Sequence, residues 1–121
     1  AYLYHFAARL VGDDNTRTGR FGLHLMASDA TLRERGNSYL VWFTNDDQKV
    51  RIIETIGNVL YERASADVVV SAGDFADYKI SYSTNSGTIR VFQNNRPVLT
   101  WTDATPLTAG SYISLRTNQA Q

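Results

Sequence analysis

Apolar residues recur at every second position through most of this chain. Tyr4, Phe6, Ala8 and Leu10 fall on one face of an extended segment and Leu3, His5, Ala7 and Arg9 on the other, which predicts a first strand over Tyr2 to Val11. Gly12 to Gly19 is polar and bounded by glycine at both ends, so it reads as a loop. Alternation resumes from Arg20 to Met26, with Phe21, Leu23 and Leu25 on one face. The run Ser38 to Thr44 is the clearest core strand. Tyr39, Val41 and Phe43 lie on one side of it and Trp42 on the other.

Turn residues divide the remainder. Asn45-Asp46-Asp47-Gln48 folds the chain into a hairpin returning over Lys49 to Thr55, and Ile56-Gly57-Asn58 turns it again into Val59 to Arg63. Val68-Val69-Val70 is a short β-branched run suited to a strand edge. The last third reads as a meander. Phe75 to Tyr82 leads through Thr84-Asn85-Ser86-Gly87 to Thr88–Gln93. A turn over Asn94-Asn95-Arg96-Pro97 follows, then Val98 to Asp103, and a loop from Ala104 to Gly110 feeds Tyr112 to Arg116. Only Asp29 to Arg35 has the makings of a helical turn, and Gly36-Asn37 ends it. About nine or ten short strands between such signals specify an all-β, antiparallel sandwich or barrel in one domain. The alternation begins and stops close to the ends, so the domain is expected to be a piece of a longer polypeptide, with one or two terminal strands outside it.

The 121 residues suffice for one modest core, and 12 basic residues balance 12 acidic ones. Nucleic acid and anionic membranes select for basic excess, so neither is the expected partner. Cysteine is absent, which excludes disulfides and thiolate metal sites. No apolar run reaches membrane-spanning length. The hydroxyl-rich, aromatic composition fits an extracellular setting.

Three stretches resemble the concanavalin A-like (laminin G-like) jelly-roll superfamily. They are Arg20 to Met26 with Arg35 to Phe43, then Asp77 through Val91-Phe92 to Val98-Leu99, then Trp101-Thr102-Asp103 with Pro106-Leu107 and Gly110 to Thr117. The resemblance implies a jelly-roll sandwich and, from secreted bacterial members, a carbohydrate-binding or adhesin domain. The expected partner is then a polysaccharide or cell-surface glycan, with sibling domains or neighbouring chains as further partners. Assembly through strand edges is the alternative.

The catalytic form of that fold carries Glu-x-Asp-x-Glu on one strand. Glu34, Glu54 and Glu62 are the only glutamates here, and none has an acid two residues away. Non-catalytic binding is therefore expected, with a hydrolase site assembled in space left open. His5 and His24 sit mid-strand without a spaced partner and read as structural. Sugar rings stack on flat aromatic side chains. Trp101, Tyr112, Tyr82 and Trp42 are accordingly the candidate stacking residues, with Asn95 and Arg96 as hydrogen-bond donors and acceptors. Asp13-Asp14-Asn15 and Asp46-Asp47 are the candidate Ca²⁺ ligands, because hard cations take several loop oxygens, although such residues are also ordinary turn formers.

Overall fold

The computed structural model describes residues 2–8, 19–29, 31–32, 35–70, 75–110 and 112–118, and nine strands lie among them. They are β1 (Tyr2–Ala8), β2 (Arg20–Ala27), β3 (Ser38–Thr44), β4 (Lys49–Ile56), β5 (Val59–Asp67), β6 (Ala76–Ser83), β7 (Thr88–Gln93), β8 (Arg96–Thr102) and β9 (Tyr112–Asn118). All pairings are antiparallel. One sheet has the order β1-β6-β7-β8 and the other β5-β4-β3-β2-β9, with β8 lying over β5 and β4. The expected β-sandwich is what the chain forms.

Period-two patterning builds the layer between the sheets. Phe21, Phe43 and Val50 share one row of the five-stranded sheet, and Leu23, Val41 and Ile52 the next. The four-stranded sheet answers with Ile80 beside Val91 and Tyr82 beside Ile89. Aromatic rings join the two layers: Phe43 meets Tyr78 at 4.5 Å between centroids and Tyr39 meets Tyr82 at 5.1 Å. Each large apolar side chain contributes about 1.5–3 kcal/mol on burial, whereas an exposed ion pair contributes about 0–1 kcal/mol. This layer, not the surface charges, holds the sheets together.

The turns differ from expectation in detail. Asn94 and Asn95 both have positive φ (51° and 66°), so the β7–β8 hairpin closes in two residues. Arg96 and Pro97 therefore belong to β8. Proline is tolerated there because β8 is an edge strand and the ladder is bulged beside it. Gly57 and Asn58 form a second two-residue turn, with φ of 57° and 65°. Around Asp29 to Arg35 the described residues contain no helix. Among them Ser28 N–H donates to Asn37 O (2.9 Å) and Arg35 N–H to Leu32 O (3.1 Å). Residues 9–11, expected in the first strand, lie outside the described residues.

Val68–Val70 is not a strand, and β5 runs on to Asp67 instead. Val68 and Val70 are nevertheless buried, with Val69 exposed between them. The side chain of Gln48 substitutes for a neighbouring strand. Its Oε1 accepts from Val70 N–H (2.8 Å) and its Nε2 donates to Val70 O (2.8 Å), while Gln48 O accepts from Val68 N–H (3.0 Å).

Candidate functional site

The outer face of the five-stranded sheet carries charged and polar side chains around a buried apolar cluster. Residues opposite in phase to the core point outward there, and register aligns them in rows. Ser65, Arg51, Trp42, Gly22 and Arg116 form one row across all five strands. Glu62, Ile53, Leu40, His24 and Ser114 form the next. Leu40, Trp42 and Ile53 pack into a small apolar cluster, separate from the core.

Gly22 makes the Trp42 placement possible. A Cβ at Gly22 would stand 2.2 Å from Val41 O and 2.7 Å from Trp42 Cε3, so only glycine lets the indole lie across β2. The Arg116 guanidinium caps the ring at 5.6 Å from its centroid. Trp42 is left 8% exposed.

Beside it lies a shallow cavity of about 240 Å³, lined by Arg20, Trp42, Thr44, Asp47, Arg51 and Ile53. Arg51 organises this groove. Its Nε donates to Glu62 Oε1 (3.1 Å), Nη1 to Thr44 Oγ1 (2.9 Å) and Nη2 to Asp47 Oδ2. Arg20 pairs with Asp46 at 2.9 Å and Lys49 with Asp67 at 2.7 Å. Hydrogen bonds from Arg51 hold the Asp47 carboxyl below its ordinary range despite some desolvation, and raise the guanidinium in return. Behind the groove, His24 is fully buried. Its Nε2 faces Arg116 Nη1 (3.4 Å) and its Nδ1 faces Ser38 Oγ (3.0 Å). An arginine can only donate, so Nε2 accepts and Nδ1 carries the proton toward Ser38. The structural reading of His24 agrees with this position.

A second polar cluster lies inside the sandwich. The Tyr39 hydroxyl donates to Asp103 Oδ2 (2.7 Å) and accepts from Leu107 N–H (2.9 Å). The Tyr82 hydroxyl donates to Leu107 O (2.5 Å). Glu54 is buried against Asp103, and Arg63 Nε reaches its Oε1 at 3.0 Å. Burial, then the neighbouring Asp103 charge, pushes the Glu54 carboxyl upward against the pull of Arg63. Burial and the hydrogen bonds with Tyr82 and Asp103 likewise raise the Tyr39 hydroxyl well above its usual value.

These placements sort the sequence-predicted site residues. Trp42, Asp46 and Asp47 come together at the groove. Each of these two aspartates faces a guanidinium, and among the described residues no group of three or more metal-ligating side chains assembles. Asp13, Asp14 and Asn15 lie outside the described residues. Tyr82 is fully buried between the sheets, so its ring packs against Tyr39 instead of meeting solvent. Trp101 is half-buried on β8 and meets Tyr39 edge-on at 6.2 Å. Asn95 and Arg96 sit at the β7–β8 turn, where Asn95 Oδ1 accepts from Lys79 Nζ (2.8 Å), and Tyr112 is exposed at the start of edge strand β9. The six candidate ligand-binding residues are thus spread over separate regions. Sequence reasoning missed Arg20, Thr44, Arg51, Glu62 and Arg116. For Arg20 and Thr44 the signal was alternation, since each sits opposite in phase to the apolar face read for its strand; for Arg51, Glu62 and Arg116 no face had been read, and register alone brings them together.

No protein-family model matches the chain, and no curated protein sequence does. Solved structures do. A carbohydrate-binding module, CBM66 from Bacillus subtilis, superposes with a TM-score of 0.76 at 13% identity, covering 97% of this chain and 66% of that one. Sheep galectin-11 in complex with glycerol gives 0.75 at 13% identity, covering 97% and 82%. The sialidase module CBM40 from Ruminococcus gnavus, bound to α2,3-sialyllactose, gives 0.59 at 9% identity, covering 92% and 60%. At these identities what is shared is the β-sandwich fold.

Proposed function

We propose that this domain is a non-catalytic carbohydrate-binding module of a secreted bacterial protein, and that its ligand lies in the groove beside Trp42. The observation that carries the reading is the row Arg51, Trp42, Gly22, Arg116. It sets an aromatic margin and an apolar floor next to fixed donors and acceptors, the combination that orients a sugar ring. The fold shared with carbohydrate-binding modules and a galectin supports it. Glu54 and Asp103 are buried and hydrogen-bonded inside the sandwich, out of reach of a polysaccharide, which speaks against a glycosidase pair there.

The test is a glycan and polysaccharide screen followed by NMR titration of the best hit. Shifts are expected at the Trp42 indole N–H and at the Gly22 and Arg51 amides. Binding that moves signals around Trp101 or Tyr112 and leaves Trp42 unmoved refutes the location; a silent screen refutes the glycan.

Edge-to-edge assembly is the second reading. The edge strands β1 and β9 expose Leu3 (66%), Ile113 (57%) and Leu115 (70%), an apolar content that edge strands ordinarily avoid. Light scattering at increasing concentration decides it: a constant monomer mass excludes self-assembly.

A further inference from the structure

We infer that the groove takes an uncharged saccharide unit through adjacent hydroxyl groups and discriminates against sialylated, uronic or sulfated glycans. The inference rests on the carbohydrate reading and sharpens it. Its basis is the way charge is distributed on this face. Arg51 is held by Asp47 and Glu62, Arg20 by Asp46, and Lys49 by Asp67. Among the described residues of this patch, these three cations stand against four carboxylates.

Among the described residues of this patch, an anionic ligand meets Arg51, Arg20 and Lys49 already holding carboxylates. To reach Arg51 it must displace Asp47 or Glu62, leaving that carboxylate beside a second negative charge. Like-charge contact and the unpaired carboxylate both oppose binding. Asp47 cannot step aside by taking up a proton near neutral pH, since Arg51 keeps it ionised.

A neutral diol meets no such conflict. Each sugar hydroxyl both donates and accepts, so one hydroxyl can accept from a guanidinium N–H while its neighbour donates to a carboxylate oxygen. The charge balance of the ion pair is preserved, and bonds to charged groups are the stronger kind. Arg51 has capacity for this. Its contacts to Glu62, Thr44 and Asp47 engage four N–H directions of the five a guanidinium possesses. Glu62 is half exposed. The volume agrees as well: about 240 Å³ lies below the 300–1,000 Å³ of sites that engulf a drug-sized ligand, so the groove holds one ring of a longer chain.

The experiment is a glycan array in which neutral oligosaccharides are printed beside their sialylated and sulfated counterparts, with calorimetry on the best neutral hit at low and high salt. Binding is expected on neutral glycans only, with affinity changing less than about twofold over a salt range that screens surface charges. Arg51→Lys keeps the charge and removes the fork, and is expected to weaken that binding by about tenfold or more. Glu62→Gln, at a half-exposed position that folding tolerates, is expected to admit anionic glycans that the parent rejects. Hits confined to anionic glycans, with affinity collapsing in salt, overturn the inference and leave the carbohydrate reading standing. A wholly silent array overturns both. Neutral binding unaffected by Arg51→Lys, with the fold verified by circular dichroism, overturns the groove as the place of recognition.

Discussion

Gly22 shows how one residue positions a site it does not chemically serve. Its missing side chain is the space that the Trp42 indole occupies, and the nearest obstacle to a Cβ is backbone, Val41 O at 2.2 Å. Backbone cannot rotate away as a side chain can. Gly22→Ala is therefore expected to destabilise the fold by about 1–3 kcal/mol through overpacking and to displace Trp42. Chemical denaturation and the indole N–H chemical shift check both effects. Sequence reasoning placed Gly22 and Trp42 on their strands and put Trp42 opposite Tyr39, Val41 and Phe43, as the structure does. It had no access to their pairing, because register across β2 and β3 depends on the conformation of the loop between them.

At the scale of elements, alternation and turn residues made most strands legible. In one place where they misled, the cause was a side chain acting as backbone. Val68-Val69-Val70 has strand composition, yet its hydrogen bonds go to Gln48, whose amide supplies one donor and one acceptor at the spacing of a strand partner. Nothing in the valine run encodes that partner. Gln48→Asn tolerates the positive φ of 55° at this position but is too short to bridge. It is expected to cost about 1–3 kcal/mol, the range for leaving buried backbone groups unpaired, and to accelerate hydrogen exchange at the Val70 amide. The candidate site was less legible than the strands. Aromatic residues were singled out by type, which does not separate interior from surface: Tyr82 is buried between the sheets and Tyr112 is exposed. The polar residues that define the groove were inconspicuous singly and become a site only when five strands align them.

At the scale of the whole molecule, the Glu54 carboxyl links stability to pH. Its value is raised from the ordinary 4.5 by burial and by Asp103. The folded state thus binds this proton more tightly than the unfolded state. The stabilisation it brings is complete below about 4.5 and is lost as pH rises through the folded value. Glu54→Gln removes the titration while keeping an acceptor for Arg63. The difference in melting temperature, variant minus parent, is expected to be more positive at pH 7 than at pH 4. An equal difference at both values excludes Glu54 as the linked group. Asp47 carries the opposite sign: its lowered value gives stability that is present above the ordinary 3.8 and lost only in stronger acid.

The strand β3 is buried on both of its faces, Tyr39, Val41 and Phe43 toward the core and Leu40 and Trp42 toward the outer cluster. A strand sheathed in this way has little freedom to change under selection, since every position answers to packing. The neighbouring outward positions on β4 and β5 and in the turn at residues 45–48 answer mainly to solvent and to one another. On the proposed reading of the groove, a lineage of such domains would acquire new ligands by rewriting Asp47, Arg51 and Glu62 while the floor beneath them stays constant. The groove then separates what must be inherited from what is free to diverge.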